Sequence, residues 1–523
     1  MRNRAQGMEP NRRMPRRVPL SLALLYVLCL TIWAGAPLGA AETSDEDSNP
    51  VEGAAKAIER QFEELGVGQA AYAVVSDAEQ TVAGYGAASP DTPFVIGSVS
   101  KSFTALAILQ LVEGGLVALD SPVTDYIDWF TTADSTASIT VRQLLNQTSG
   151  ISTLDGSRDA FSPGISLEDR VRRIETYDLA SKPGSEFNYS NLNYAVLGLI
   201  VQEVSGVGYG EFVEQEIFGP LGMDNSYSDF TLAKSNELAT GTITVFGLPV
   251  DLSQTAFPGS VPDGYLISTA ADMAQYARFQ MGDGSLNGGR LLSAENLAMM
   301  HTPAIAAEGG QHLDHYAMGW RTGSIDGQPL ISHDGNTFGF HARVALLPDI
   351  GAAVVVLMAR NGGLSMVTGP ENAGLAALAG GTPEVSRSPT VAWIVVDAVL
   401  ALVVLGSIVS VVLRRRRRRE VPRRAPRRWP AIVQVVAGVL IGTSVVLLAA
   451  SMSGGLDVVA FRLLWALAPD VTILAVAIPL LLIAAAMTTF LERRTTRQLL
   501  TPFPGQSEVS SMSKRETPSE VAR

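Results

Sequence analysis

Cysteine is almost absent from this chain of 523 residues: Cys29 is the single example, and it lies in an apolar run near the start. Once that run is removed or left in lipid, the folded body has no thiol, which excludes disulfides, thiolate catalysis and Cys-rich zinc sites. Charge is also scarce, at 17% of residues against 47% apolar, which excludes a disordered or nucleic-acid-coating polymer. The charge present is unevenly placed. Residues 1–41 carry 6 basic and 1 acidic side chains, residues 42–385 carry 15 and 42, and residues 386–523 carry 18 and 8, for an overall net of −12. A central body so short of positive charge is not a nucleic-acid binder. An acidic body between basic ends suits a domain on one side of a membrane with its flanks on the other. The length allows roughly two to four domains at the usual ~100–200 residues each.

Residues 1–17 contain six arginines, residues 18–36 are almost wholly apolar, and the small residues Gly39, Ala40 and Ala41 come next. Residues 1–41 therefore read as a secretory signal cut near Ala40 or Ala41, or as an uncleaved anchor, and both readings export the central body. Residues 42–52 form a polar, acidic linker. Toward the other end, 390–413, 431–452 and 471–490 are apolar runs of 24, 22 and 20 residues. At ~1.5 Å rise per residue each is long enough to cross a ~30 Å hydrocarbon core. The arginine cluster from Arg414 to Arg428 between the first two runs belongs on the cytoplasmic side, as does the cluster Arg493, Arg494 and Arg497 after the third. Three crossings within 383–492 reconcile the two, leaving 493–523 as a cytoplasmic tail and the body as an extracytoplasmic domain of a multi-pass membrane protein. Membrane lipid is thus an expected partner. Asp397 in the first run lies near its outer end, within reach of headgroups.

The body, 53–382, begins with helical spacing over Val51 to Leu65 and a hairpin over Ala70 to Val75 and Thr81 to Tyr85. Apolar helix patterns run over Thr104 to Val112, ended by Gly114-Gly115, and over Tyr194 to Val204. Arg343 to Leu347 and Ala352 to Met358 read as adjacent strands. Strands at both sequence ends with a helical, loop-rich middle predict an α+β domain whose antiparallel sheet joins distant parts of the chain.

Chemistry concentrates in three short patterns. Ser98 and Lys101 stand three apart at a helix start, so they share a face, and the helix N-terminus favours negative charge beside them. A serine hydroxyl is a poor nucleophile until a neighbouring base takes its proton, a task open to a partly buried lysine. The spacing alone is weak, because Ser511 and Lys514 repeat it in the tail with no apolar helix beyond. Tyr189 and Asn191 sit between the turn Lys182-Pro183-Gly184 and an apolar helix, aiming a phenol and an amide from a loop tip; a packing tyrosine and a helix-capping asparagine are the bland alternatives. His333, Asp334 and Gly335 come after Leu330-Ile331, placing His333 on an edge strand or in a surface turn.

Ser-x-x-Lys, Tyr-x-Asn and His-x-Gly in this order resemble the serine β-lactamase and penicillin-binding-protein superfamily, in the branch with class C β-lactamases, D-Ala-D-Ala carboxypeptidases and related esterases. The stretches Leu144 to Gly150, Ser268 to Met273 and Met318 to Trp320 are similar to that family as well. The resemblance implies a β-lactamase/transpeptidase-like α+β fold, an antiparallel sheet flanked by helices with an all-helical region inserted, succeeded here by a three-helix transmembrane region. It implies Ser98 as nucleophile, Lys101 and Tyr189 sharing proton transfer, and Asn191 binding the substrate amide and holding Lys101. Gly335 keeps a strand open for substrate, and the N–H groups of Ser98 and Asn336 form an oxyanion hole. His333 replaces the lysine of the third motif as a weaker, pH-dependent cation, which puts carboxylate recognition in doubt. Gln147 stands where many relatives have histidine, with an effect expected to be structural. The expected function is a membrane-anchored serine hydrolase acting through an acyl-enzyme on a peptide, amide or ester, with cell-wall fragments one source of substrate. A β-lactamase and a non-turnover ligand sensor are the alternatives. No cofactor and no metal are implied.

Overall fold

The computed structural model describes residues 49–383, except 159, 161, 246, 247, 311 and 362–368, together with scattered helical positions between 405 and 494. The leader at 1–41, the greater part of the linker, the apolar runs 390–413, 431–452 and 471–490, and the tail lie outside the described residues apart from those positions. Among the described residues no single helix is long and apolar enough to cross a membrane.

Helix α1 (Pro50–Leu65) starts where Asn49 Oδ1 accepts the Val51 N–H at 2.9 Å and stops at Gly66, which takes a left-handed conformation with φ 59°. Strands β1 (Gln69–Ser76) and β2 (Gln80–Gly86) form the expected hairpin. Next come helices α2 (Ser100–Glu113), α3 (Asn191–Ser205) and α4 (Ala270–Met281). A run of strands then completes the sheet: β3 (Ile305–Gly310), β4 (Leu313–Tyr316), β5 (Arg321–Ile325), β6 (Gln328–Thr337), β7 (Phe340–Leu347) and β8 (Ala352–Met358). Helix α5 (Pro370–Leu378) returns across it.

The eight strands form one antiparallel sheet in the order β2-β1-β8-β7-β6-β5-β4-β3. The first hairpin therefore docks on the last strand, with Ala70 opposite Met358 and Ser76 opposite Ala352. Both faces of the sheet are covered. Ala71, Ala73 and Val75 point into the core formed with α2, α3 and α4, while Ala70, Tyr72 and Val74 meet Ile58 and Phe62 of α1 and Leu375 of α5. The period of two is present, but in β1 and β8 both of its phases are apolar, which is why these two strands read as continuous apolar runs. Each fully buried large apolar side chain contributes about 1.5–3 kcal/mol.

Two expectations are corrected. The inserted region is not wholly helical: it also holds three two-stranded pieces, Phe94–Val95 with Ile267–Ser268, Thr242–Val245 with Leu248–Asp251, and Ser285–Leu286 with Gly289–Arg290. His333 does not sit on an edge strand, because β6 is flanked by β5 and β7.

Candidate active site

Gly97–Val99 forms a single 3₁₀ turn leading into α2, with Ser98 half-buried on it. Two contacts fix this turn. Ile96 N–H donates to Leu266 O at 3.0 Å, and the Leu266 N–H donates to Ser100 Oγ at 3.1 Å. The first turn of α2 is polar yet buried, so each group needs a partner. Ser102 Oγ donates to Val99 O at 2.8 Å and accepts from Tyr276 Oη at 2.8 Å, and Thr104 Oγ1 donates to Pro262 O at 2.6 Å.

Lys101 is fully buried, at 0% exposure. Its Nζ donates to three acceptors: Ser98 Oγ at 3.0 Å, Asn191 Oδ1 at 2.8 Å and Asp263 O at 2.6 Å. Nζ also lies 5.0 Å from the centroid of the Tyr189 ring. The structure thus brings Ser98, Lys101, Tyr189 and Asn191 together. Asn191 is the first residue of α3, and Tyr189 precedes it by two. The loop that carries them is pinned by the Leu144–Gly150 stretch. Gln147 O accepts from Asn188 N–H at 2.8 Å, and Gln147 Oε1 accepts from Ser190 N–H at 2.9 Å and Asn193 Nδ2 at 2.5 Å. Gln147 takes φ 60° to do so.

Gly335 is where backbone meets backbone. A Cβ there would lie 1.8 Å from Ile96 O, and one on Gly97 would lie 2.6 Å from Asn336 N. The missing side chains let β6 press against the Ser98 turn, so the Asn336 peptide adjoins it. The Asn336 side chain accepts from His341 Nδ1 at 2.9 Å and from Asn361 Nδ2 at 3.2 Å.

His333 enters the site differently from the sequence reading. It is buried, with its ring 6.3 Å from that of Tyr189. Nδ1–H donates to Asp334 O at 2.8 Å, leaving Nε2 as an acceptor 3.5 Å from Tyr316 Oη. Burial, then the cations Lys101 and Arg321, pushes its pKa down to about 3. It is a neutral imidazole throughout the ordinary pH range, not a pH-dependent cation.

Three residues of the site carry no signal in the sequence. Asp263, on the turn Val261–Tyr265, supplies the carbonyl that holds Lys101. Its carboxylate pairs with Arg170, and both side chains are buried. Arg170 Nη1 also donates to Gly259 O at 2.8 Å and Ser260 Oγ at 3.0 Å, anchoring the turn from behind. Arg321, the first residue of β5, places its guanidinium 6.0 Å from the Tyr189 ring, 5.9 Å from Tyr316 and 5.7 Å from Phe187. Its Nη1 is buried and has no hydrogen-bond partner among the described residues. A cavity of about 170 Å³ is lined by Val95, Ile243, Leu252, Phe257, Tyr265 and Phe338, with Thr337, the last residue of β6, at its wall.

A family model described as beta-lactamase matches residues 54–378. The chain belongs to the beta-lactamase family. Its members are serine hydrolases. The protein flp of Staphylococcus aureus (strain MW2) is 31% identical over 273 residues, 52% of this chain and 53% of that protein. This chain thus spans about half the length of that curated relative. Penicillin-binding protein 4 of Amycolatopsis lactamdurans is 31% identical over 296 residues, 53% of this chain and 74% of the relative. Among solved structures, the octameric penicillin-binding protein homologue from Pyrococcus abyssi matches with a TM-score of 0.57 and 28% identity, over 67% of this chain and 81% of that one. This beta-lactamase-family chain has the α+β fold of an antiparallel sheet with flanking helices expected from the sequence.

Proposed function

We propose that the chain is a membrane-anchored, extracytoplasmic hydrolase that forms an acyl-enzyme on Ser98 with a peptide, amide or ester. The observation that carries this reading is the set of hydrogen bonds at Lys101 Nζ. Asn191 Oδ1 and Asp263 O are acceptors only, so they occupy two N–H bonds of the amine. The third position faces Ser98 Oγ at 3.0 Å. In the ammonium form it is an N–H; in the neutral amine it is the lone pair, aimed at the hydroxyl proton. Ser98 Oγ then attacks the carbonyl carbon while its proton passes to Lys101. The N–H groups of Ser98 and Asn336 hold the oxyanion, and the Tyr189 phenol hands a proton to the leaving group. Water attacks the acyl-enzyme by the reverse relay and frees the acid.

Because His333 is neutral, positive charge for a substrate carboxylate comes from Arg321, whose guanidinium lies among Phe187, Tyr189 and Tyr316. This supports a substrate ending in a free carboxylate on the leaving-group side, as D-Ala-D-Ala peptides do. The basic, apolar N-terminal stretch and the three apolar runs support export and anchoring.

The test is labelling by a fluorophosphonate, expected in the wild type and lost in Ser98→Ala; equal labelling of that variant refutes the assignment. Arg321→Met removes a charge-assisted contact worth about 1.5–3 kcal/mol, so KM for a D-Ala-D-Ala peptide rises roughly 10- to 100-fold, with little change for a neutral p-nitrophenyl ester. Equal effects on both substrates refute the carboxylate role. Turnover of nitrocefin would favour a β-lactamase, and a penicilloyl adduct that persists without turnover would favour a sensor.

A further inference from the structure

A group of buried charges lies behind the strand that completes the site. Side chains alternate along β6: His333 faces the catalytic groups and Gly335 the turn that carries Ser98, while Ser332, Asp334 and Asn336 point to the other face. There Asn336 Oδ1 accepts from His341 Nδ1 at 2.9 Å, and His341 Nε2 lies 3.5 Å from Glu371 Oε1. Arg343 Nη1 lies 3.9 Å from the same carboxylate oxygen. Arg343 Nε donates to Ser332 Oγ at 2.9 Å and sits 3.2 Å from Asp334 Oδ1, and its Nη1 donates to Asn372 Oδ1 at 2.9 Å. Glu371, His341 and Arg343 are 0%, 1% and 3% exposed. Burial pushes the Glu371 pKa up, but His341 and Arg343 outweigh it and hold the carboxyl below its usual range, so it is charged.

Charge placed this deep is weak support for stability, since apolar residues of like volume often do as well. Its placement is more telling. Every member of the group that touches β6 touches it between Ser332 and Asn336, the segment that presses on the Ser98 turn. Asn361 Nδ2 adds a clasp, donating to Asn336 Oδ1, to Thr337 O at 3.0 Å and to Phe340 O at 3.1 Å, which closes the β6–β7 connection.

We propose that His341 and Glu371 are positioning residues for the oxyanion hole: Glu371 orients His341, and His341 holds the Asn336 side chain so that the Asn336 N–H stays aimed at the reacting carbonyl. Arg343 supports Glu371 and, on β6, Ser332 and Asp334. None of the three touches substrate. The inference rests on the reading of Ser98 as nucleophile and Asn336 N–H as oxyanion donor, and it extends the site through the sheet to α5. A shift of about 1 Å in such a donor is enough to cost roughly 100-fold in rate.

The test uses the full chain and two probes of the tetrahedral state: fluorophosphonate inactivation, and affinity for phenylboronic acid, which adds to a serine hydroxyl as a tetrahedral anion. For Asn336→Ala, His341→Leu and Glu371→Gln, kcat on a p-nitrophenyl ester is expected to fall about 10- to 100-fold with KM within threefold, and boronate affinity to fall by the same factor. His341→Gln keeps a donor near Asn336 Oδ1 and should recover most of the loss. A purely structural role predicts that activity tracks the folded fraction and that boronate affinity of the folded protein stays within twofold of wild type, which overturns the proposal. Asn336→Ala leaves the buried charges intact, so it decides the matter if Glu371→Gln does not fold. Absence of fluorophosphonate labelling in the wild type would instead overturn the Ser98 reading itself.

Discussion

Replacing Gly335 by alanine adds one methyl group at the place where β6 meets the Ser98 turn. Its Cβ would lie 1.8 Å from Ile96 O and 3.1 Å from Gly97 Cα, both backbone atoms with no rotamer to escape into. Contacts of a real Cβ essentially never fall below 3.0 Å, so strand and turn must separate by about 1.2 Å. Gly97 is itself held against Asn336 and takes φ 54°, so the turn has little freedom to yield and β6 does the moving. Stability is expected to drop by about 1–3 kcal/mol, as for other overpacked sites. The larger effect is kinetic. On the proposed reading the Asn336 N–H then retreats from the oxyanion, and loss of one such donor costs about 10²–10³ in kcat. Ester hydrolysis and fluorophosphonate labelling should fall by that factor together, with KM changed less than tenfold. Gly68→Ala is the control, since nothing lies within 4 Å of its added Cβ. A Gly335→Ala protein that folds and keeps kcat within threefold of wild type would refute the argument that this close approach sets the oxyanion hole.

Asp263→Asn leaves Arg170 buried without its carboxylate, so the fold should lose about 3–5 kcal/mol, measured by urea unfolding. The double variant with Arg170→Met should recover part of that, and equal stability of the single variant and the wild type would contradict the role given to the pair. Asp272 has its pKa raised to about 6, first by burial and then by Asp224 and Asp91, against hydrogen bonds from Ser226 and Asn225. A carboxyl whose folded pKa lies above its ordinary 3.8 favours folding when protonated, and that contribution fades as pH rises from about 4 to 6. The stability of Asp272→Asn relative to wild type should therefore rise by about 1–2 kcal/mol between pH 4 and pH 7, after allowance for partial solvent screening. A pH-independent difference, or a carboxyl carbon titrating near 4 by NMR, would count against it.

Much of this architecture is legible in the chain. The first hairpin, α2, α3, the end of β7 and β8 are mostly apolar segments bounded by turn residues, and both α2 and α3 fall within a few residues of the expected spans. Ser98 and Lys101 stand side by side as their spacing predicts, although that spacing recurs at Ser511 and Lys514, so it is the apolar helix beyond them and the order of the three motifs that single them out. The strands β3 to β5 are harder to see, because Ile305–Ile325 is rich in Gly, Ala and polar residues with no clean alternation. The position of β6 is misleading for a related reason. His333, Asp334 and Asn336 look solvated in the sequence, but Lys101, Arg343 and His341 meet them from both sides of an interior strand. Nothing in the sequence points to Asp263, whose contact to Lys101 is made by a backbone carbonyl that every residue type possesses. Arg170 and Arg321 give no signal because arginine is ordinarily a surface residue, and the carboxylate that pairs with Arg170 lies 93 positions away.

The pairing of β1 with β8 has a consequence for how the body comes into being. One edge of residues 70–76 pairs with the nearby β2, but the other finds its hydrogen-bonding neighbours at residues 352–358, so the centre of the sheet stays open until nearly the whole domain has been made available. Such a long loop closure is entropically costly and slow. Every truncation short of the last strand strips one side of β1 and uncovers an apolar edge prone to self-association. Closure of the sheet is thus a late event, and Ser98 and Lys101 gain their final surroundings only when the two ends of the domain have met.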